Sequence, residues 1–192
     1  MTEALVRRRY FAAMRDAARQ LWGEEGLAAI AGALPEDVRR RTADVPLVSE
    51  EWLPATSAMA WFTAVWETCA ARHASELAAF IDCQTELGFG RVRKFFLSQA
   101  TPALVISRAA KLWRDDNTAG ELVTISLEEG RVVAELRNHV YATTPLSRLV
   151  VTELLRSVLA RCRAKDVTAR GLLGPDGALR MAFTWSGRTY RG

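Results

Sequence analysis

The sequence predicts an α+β fold in which an N-terminal helical layer packs on a C-terminal antiparallel sheet. Residues 121–137 and 167–185 each alternate apolar and polar side chains on both sides of a turn, which is typical of strand pairs with one buried face. A long helical segment separates the two pairs, so two hairpins bracket one helix. The residues before about 100 have mostly helical periodicity and supply a cover for the apolar face of the sheet.

Length and composition favour a single domain. The chain has 192 residues, of which 49% are hydrophobic, and this is enough for a sizeable core. We therefore expect one α+β domain over residues 1–192, with a helical part over about 1–116 and a hairpin-helix-hairpin part over about 120–186.

Turn and proline signals divide the helical part. Residues 3–22 are predicted to form an amphipathic helix that ends at Gly23-Glu24-Glu25-Gly26. Trp52-Leu53-Pro54 is predicted to open the second main helix, because proline is tolerated in a first helical turn. Further helices are predicted over residues 75–87 and 91–99.

Two dipeptides mark the later helix starts. Thr101-Pro102 and Thr144-Pro145 each place an N-cap hydroxyl before a first-turn proline. The first helix is predicted to end near residues 115–117, and the second carries an apolar stripe over residues 146–162.

Each hairpin has a predicted turn and a predicted inward face. The turns are residues 128–130 and Gly174-Pro175-Asp176-Gly177, where proline and aspartate occupy favoured positions. The side chains predicted to point inward are Val123, Ile125, Leu127, Val132, Ala134 and Leu136 in the first hairpin, and Leu179, Met181, Phe183 and Trp185 on the last strand.

Targeting and redox signals are weak in this sequence. The first residues lack the apolar stretch of a secretory signal, and no apolar run approaches the roughly 20 residues that span a bilayer. The three cysteines form an odd count without a C-x-x-C pair, which favours reduced thiols. We expect a cytoplasmic protein without membrane insertion.

The net charge of +4 is unevenly distributed. Residues 137–192 contain ten Lys or Arg and three acids, which is +7, so residues 1–136 carry −3. One hypothesis is a nucleic-acid-binding protein that uses this basic C-terminal third. The other interpretation, which we favour, is that the cations occupy the solvent faces of ordinary amphipathic elements, without a groove-reading motif. The basic side chains in question are Arg161, Arg163, Lys165, Arg170 and Arg180.

One group of residues in the sequence is a candidate for either metal binding or nucleophilic catalysis. Cys69 and His73 are four residues apart on a predicted helix and would share a face, with Glu76 one turn further. A zinc site or the Cys/His pair of a small hydrolase would use such residues. However, Cys83 and Cys162 have no close partner, and neither His73 nor His139 lies in a nucleophile motif. We expect no catalytic residue, no metal and no cofactor.

Large aromatic side chains form a second candidate site. Apolar ligand pockets and plain hydrophobic cores are lined by the same residue types, so the sequence leaves both interpretations open. The predicted pocket residues are Trp61, Phe62, Trp66, Phe95, Phe96 and Trp113.

The order of elements resembles a known fold family. The carrying motifs are Trp52-Leu53-Pro54, Thr101-Pro102, Leu112-Trp113-Arg114, Gly120-Glu121-Leu122 and a closing hairpin that ends in Trp185. Together they resemble an uncharacterised bacterial paralogue family of similar length. That family is similar to the fold shared by vinyl-reductase ligand-binding domains, haem nitric-oxide-binding domains and TRAPP vesicle-tethering subunits.

The resemblance implies helices over an antiparallel sheet, an apolar cavity between them, and dimerisation. Haem-binding members of the fold have a Y-x-S-x-R motif, whereas residues 141–145 here read Tyr-Ala-Thr-Thr-Pro. Some vinyl-reductase sensors have cysteine metal ligands near the last hairpin, where residues 171–177 of this chain contain none. No functional residue transfers from the resemblance.

The sequence therefore predicts a non-catalytic regulatory sensor or protein-interaction module. Its expected partners are a second copy of the chain in a homodimer or another signalling protein, with an apolar small molecule as a further ligand. Nucleic acid is not expected as a partner.

Overall fold

The α+β class predicted from the sequence is confirmed. A computed structural model describes residues 3–43, 46, 51–174 and 176–187, which contain helices and two antiparallel sheets. The chain divides into two compact units, Met1–Gly88 and Phe89–Gly192, and we describe each by itself. The single-domain expectation stays a prediction. In the described part of the chain, no helix has the length and apolar character needed to cross a membrane.

The first unit is almost wholly helical. Its helices pack together because α1 lies against both α3 and α4. The elements are β1 (Leu5–Arg7), α1 (Arg9–Ala33), α2 (Glu36–Thr42), β2 (Trp52–Pro54), α3 (Ala55–Glu67) and α4 (Ala74–Gly88).

Two predicted helix starts in the first unit were wrong. β1 and β2 pair antiparallel, with Val6 opposite Leu53, so both segments are extended before their helices begin. Pro54 precedes α3 with φ −53° and ψ 134°, outside the helix that was predicted to include it. Gly23 interrupts α1 with φ 68°, but the chain resumes a helical path and continues to Ala33. Pairing between distant segments decided the first two outcomes, and local periodicity does not show such pairing.

The second unit contains a four-stranded sheet and four helices among its described residues. Helices α6 and α7 lie against β3, and α8 lies against β5 and β6. The elements are α5 (Arg91–Gln99), α6 (Pro102–Ser107), α7 (Ala109–Asp116), β3 (Glu121–Glu128), β4 (Arg131–Arg137), a 3₁₀ turn (Val140–Ala142), α8 (Pro145–Ala160), β5 (Lys165–Leu173) and β6 (Leu179–Ser186).

The two predicted hairpins form one sheet in the order β3-β4-β6-β5. All neighbouring strands are antiparallel, and β4 joins the hairpins through β6, with Ala134 opposite Met181. Helix α8 approaches β5 closely, because a Cβ at Gly171 would lie 2.4 Å from the hydroxyl oxygen of Thr152. The predicted succession of hairpin, helix and hairpin is therefore confirmed. Pro175, in the predicted second turn, lies outside the described residues.

The inward faces were predicted correctly on β4 and β6 but not on β3. Every second residue from Leu179 to Trp185 is buried, as are Val132, Ala134 and Leu136. On β3 the buried residue is Leu122, while Ile125 is 51% exposed. Leu122 lies opposite the buried Leu136, so the inward face of β3 begins at Leu122 and not at Val123. The register shift between Thr124 and Ser126 then interrupts the alternation at Ile125, and Leu127 lies opposite Val132 but is 44% exposed because β3 is an edge strand.

Both predicted Thr-Pro helix starts are confirmed. The Thr101 hydroxyl accepts a hydrogen bond from the backbone N–H of Leu104, and the Thr144 hydroxyl accepts one from Ser147. The Ser147 hydroxyl also bonds the Thr144 backbone and completes a capping box. The first helix is shorter than predicted, because the chain leaves helical geometry at Arg108 and α7 begins at the next residue.

Candidate functional site

The predicted aromatic pocket residues are divided between the two units. In the first unit, Trp61 and Phe62 are buried, whereas Trp66 is partly exposed. The indole N–H of Trp61 donates to the Thr42 hydroxyl over 3.0 Å, and the Phe62 ring meets the Phe80 ring edge-on at 6.1 Å. These contacts give Trp61 and Phe62 a place in the helical core, and the pocket they were predicted to line stays a prediction.

Trp113 is the buried member of the set in the second unit. Its ring packs edge-on against His139 at 5.1 Å and against Tyr141 at 6.3 Å. Its indole N–H donates to the carbonyl oxygen of Ala119 over 3.0 Å. The cluster ties the end of α7 to the segment between β4 and α8, so Trp113 has a structural role there.

His139 is the buried titratable group of that cluster. Its Nδ1 accepts the backbone N–H of Tyr141 over 3.2 Å, and its Nε2 is buried without a hydrogen-bond partner. Burial lowers the pKa of His139 to about 4, so the imidazole is neutral at pH 7. Gly120 lies so close that a Cβ there would be 2.8 Å from the His139 Cβ. An enclosed imidazole with so low a pKa is a poor general base at pH 7.

The predicted Cys69 and His73 pair is not on a helix. Helix α3 ends at Glu67, and Ala71 and Arg72 have φ values of 46° and 63°. The Cys69 thiol is 3.5 Å from the carbonyl oxygen of Gly26, while His73 is exposed. The shared helical face on which the zinc and hydrolase hypotheses depended is therefore absent.

The remaining predicted pocket residues, Phe95 and Phe96, lie on the surface of α5. Phe95 is 71% exposed, Phe96 is 37% exposed, and Val92 beside them is 84% exposed. These three residues are spaced three and four apart, so they share one side of the helix, which we name the α5 face. Exposure of three large apolar side chains on one helix is unusual in a folded chain.

The opposite side of α5 is anchored in the second unit. Leu97 is buried, and Arg93 forms an ion pair with Asp116 at 3.0 Å. The Gln99 side-chain oxygen accepts a hydrogen bond from Arg163 over 2.8 Å, and the Arg163 backbone N–H donates to the carbonyl oxygen of Ala100. These contacts fix the helix and hold the α5 face outward.

The stretch of sequence that contains the α5 face is rich in basic residues. Residues 89–114 contain six Lys or Arg and no Asp or Glu. Arg91 and Lys94 lie on α5 itself, while Arg108, Lys111 and Arg114 follow on α6 and α7 or between them. Sequence reasoning assigned the charge asymmetry to the C-terminal third and missed this segment. The available signal was the absence of acids over residues 89–114.

The outer side of the sheet carries a separate charged cluster. The carboxylate of Glu135 accepts hydrogen bonds from Arg180 at 2.8 Å and from Arg137 at 2.5 Å. The hydrogen bond from Arg180 lowers the pKa of Glu135 most, and the bond from Arg137 lowers it further, because both stabilise the charged carboxylate. Both oxygens are thereby occupied, so the cluster joins β4 to β6 and offers no reactive carboxylate.

A shallow cleft of about 300 Å³ lies between α8 and β5. Glu153 at its edge is paired with Arg156 at 2.5 Å, and Arg148 donates to the carbonyl oxygens of Ala142 and Thr143. Its charged side chains are thus already engaged within the chain. The lining residues are Pro145, Arg148, Leu149, Thr152, Glu153, Ala169 and Gly171.

This chain is similar to solved structures, but it matches no sequence family. No family model matches the chain, and no curated protein matches it. An Fe(II) unliganded H-NOX protein from K. algicida superposes with a TM-score of 0.61 at 8% identity, over 97% of this chain and 100% of that chain. An oxygen-binding H-NOX domain related to soluble guanylate cyclases, in its oxygen complex, gives 0.59 at 10% identity, over 94% and 96%. A Cs H-NOX mutant with the unnatural amino acid 4-cyano-L-phenylalanine gives 0.63 at 10% identity, over 97% and 100%.

The residues of this chain do not fit the haem group that this fold implies. Tyr141 is buried against Trp113 and His139, and the Thr143 hydroxyl donates to the carbonyl oxygen of Val140. Arg148, the next arginine after Tyr141 in the sequence, already donates to the carbonyl oxygens of Ala142 and Thr143. The His139 ring packs against the Trp113 and Tyr141 rings, and the Gly120 backbone lies close to it, so this imidazole is already enclosed by the chain.

The likeness establishes the fold alone, because the identities are 8–10%. The sequence resemblance to haem nitric-oxide-binding domains is thus confirmed for architecture, over nearly the whole length of both chains. This protein has an H-NOX-like α+β fold.

Proposed function

We propose that this protein is a non-catalytic interaction module that binds another cellular component through the α5 face. The observation that carries the proposal is the outward projection of Val92, Phe95 and Phe96 from a helix whose opposite side is anchored. Monomeric proteins rarely leave such groups in water without a use for them.

The α5 face has enough apolar surface to contribute to binding. Transfer of a side chain such as Val or Phe from water to an apolar environment stabilises by about 1.5–3 kcal/mol when burial is complete. Three such side chains act together because one rigid helix presents them. Their ordering cost on binding is therefore small.

The chemistry of the nucleophilic and basic groups supports a non-catalytic role. Burial raises the pKa of the Cys162 thiol to about 11, so the nucleophilic thiolate is scarce at pH 7. Burial also lowers the pKa of His139 to about 4. Among the described residues, no group of three His, Cys, Asp or Glu side chains is placed to hold a metal ion.

A regulatory role is the second part of the proposal, and it rests on the fold. The structural neighbours are named as H-NOX proteins, one of them as an oxygen complex. Because this chain does not fit haem, we propose that it keeps the architecture of a sensor domain and acts through its surface.

Site-specific photocrosslinking tests the proposed function. A photoreactive amino acid replaces Phe95 in one variant and Ile125, which is 51% exposed in the same unit, in a matched control. We expect one defined component to be crosslinked from position 95 and not from position 125. That component, once purified, should bind the unmodified chain at least about tenfold more tightly than the Phe95→Ser variant. Equal crosslinking from both positions, or none from either, would contradict the proposal.

A further inference from the structure

We propose that the component bound by the α5 face is the surface of an anionic lipid bilayer. Helix α5 would lie in the headgroup region with Val92, Phe95 and Phe96 directed toward the acyl chains. This inference rests on the proposed function and names its partner.

The shape of the α5 face favours a bilayer. Val92 and Phe95 are 84% and 71% exposed, so they stand above their surroundings as a ridge. A protein partner must offer a groove that matches a ridge, whereas a fluid lipid interface adapts to it. Leu97 is 2% exposed on the other side of the helix, which keeps the ridge on the outside.

The pattern of residues on α5 is that of an interfacial helix. Apolar side chains occupy one sector of the helix, and the basic side chains of Arg91 and Lys94 lie beside it, while Arg93 is held by Asp116 on the anchored side. Helices that lie in the plane of a membrane interface combine Phe or Leu on one face with Lys and Arg beside it. The long stems of the cations allow their charges to remain at the headgroups while the apolar sector is immersed.

Charge complementarity identifies the lipid class. Residues 89–114 contain six Lys or Arg and no acid, although Asp115 and Asp116 follow directly and form ion pairs with Lys111 and Arg93. Residues 89–192 as a whole carry seventeen basic and nine acidic residues, which is +8. Anionic headgroups attract such a surface, and the attraction acts at distances up to the Debye length. Neither a short apolar ridge nor a basic patch anchors a protein firmly, but the two together do.

Two other partners fit the observations less well. A duplex nucleic acid would match the charge but would give Val92 and both phenyl rings no groove-reading role. A single strand would stack bases on the phenyl rings but would give no role to Val92, which is the most exposed of the three. An acidic protein would match the charge, but it would also need a groove for side chains that project this far. We therefore treat both as outcomes of the test.

The test is sedimentation of the full chain with two kinds of vesicle. One contains phosphatidylcholine alone, and the other contains about 30% phosphatidylserine in phosphatidylcholine. We expect binding to the anionic vesicles at least about tenfold tighter than to the neutral ones, and weaker in high salt. Equal binding to both vesicles, or binding to neither, overturns the inference.

Paired variants assign the binding to α5. Phe95→Ser with Phe96→Ser should weaken binding to anionic vesicles about tenfold or more, because the apolar term is removed. Arg91→Gln with Lys94→Gln should weaken it and reduce its salt dependence. The control, Ile125→Ser with Leu172→Ser, removes equally exposed apolar residues from the sheet and should bind as the unmodified chain does. Equal loss in the control and the α5 variants contradicts the assignment.

The result also separates this inference from the proposed function. If vesicles fail to bind but position 95 crosslinks a defined protein or nucleic acid, the membrane inference is wrong and the interaction module stands. If vesicles fail and position 95 yields no specific adduct, both are wrong. Unchanged thermal unfolding of the α5 variants shows that they are folded.

Discussion

The two units differ in charge and in what they expose. Residues 1–88 contain nine Lys or Arg and thirteen Asp or Glu, which is −4, whereas residues 89–192 are +8. Among the described large hydrophobic residues, the exposed one in the first unit is Leu21 at 40%. The second unit exposes Val92, Phe95, Phe96, Leu104, Ile125, Leu127, Leu172 and Leu173.

The first unit covers nearly all of its described large apolar side chains at least in part, whereas the second unit leaves several of them exposed to solvent. The first unit buries its largest rings together, since Phe80 stacks on Trp22 at 5.6 Å and meets Phe62 edge-on. The second unit buries Met181 and Phe183 within its sheet yet leaves α5 apolar on the outside. The apolar exposure in the second unit is therefore confined to particular positions such as those on α5, and the core of the sheet is well buried. The variants below test this difference.

The largest expected effect separates the buried Trp113 from the exposed Phe95. Trp113→Ala should reduce the free energy of unfolding by about 3–5 kcal/mol, because it removes a buried ring and its hydrogen bond. Phe95→Ala should change it by less than about 0.5 kcal/mol, as expected for a surface position. Urea unfolding of the two variants measures both values. If the free energy of unfolding fell by a similar amount in both variants, Trp113 and Phe95 would not differ as a buried and an exposed residue.

The pH dependence of stability should report on His139. The folded-state pKa of about 4 is below the ordinary value of 6.5, so the unfolded chain binds the proton first as the pH falls. The stability that His139 contributes is complete above pH 6.5 and is lost between pH 6.5 and 4. The loss amounts to about 3 kcal/mol, at about 1.4 kcal/mol per pH unit.

His139→Asn is the variant that isolates this titration. An asparagine oxygen can replace Nδ1 as acceptor for the Tyr141 N–H, while no proton is taken up. Urea unfolding at pH 7 and pH 4.5 should show a smaller loss for the variant than for the unmodified chain. An equal loss in both would mean that His139 is protonated in the folded state.

An intermediate effect is expected at the start of α8. Thr144→Ala removes the hydroxyl that accepts the Ser147 N–H, which is one half of the capping box, and should cost about 1 kcal/mol, as N-cap substitutions do. Thr144→Asp retains an acceptor for the Ser147 N–H and should restore most of that stability. Thermal unfolding compares the three proteins, and a failure of Asp to outperform Ala would argue against the cap.

The smallest effect is expected for the basic C-terminal residues. Changing Arg161, Arg163, Lys165, Arg170 and Arg180 to serine should leave DNA affinity at physiological salt weak and unchanged. If all five neutralised phosphates, log affinity would fall with log salt at a slope near −4.5. Fluorescence anisotropy with a duplex at several salt concentrations measures that slope. Submicromolar binding that disappears in the variant would place nucleic acid ahead of the bilayer as partner.

The elements with strong local signals were predictable from the sequence. Thr101-Pro102 and Thr144-Pro145 carry their own N-cap and first-turn chemistry, so their helices begin where expected. The alternation on β6 also identified its buried face correctly from Leu179 to Trp185. Each of these signals lies within a few residues and needs no distant partner.

Features that depend on distant partners were not predictable. The pairing of Val6 with Leu53 turned two expected helix starts into strands, and the bulge after Thr124 interrupted the expected alternation on β3. The aromatic set showed the same limit, because large apolar side chains suit a core and a surface site equally well in sequence. Only the anchoring of Leu97 and Arg93 decided that Phe95 faces outward.

The sequence by itself determined the α+β class, the two hairpins around α8 and the two Thr-Pro helix starts, because periodicity and capping are local properties. Tertiary structure alone decided the pairing of β1 with β2 and the exposure of Val92, Phe95 and Phe96 on α5. The burial of a side chain depends on every segment that packs near it, and many of these segments are far away in the sequence. The residues next to it along the chain therefore do not determine its exposure.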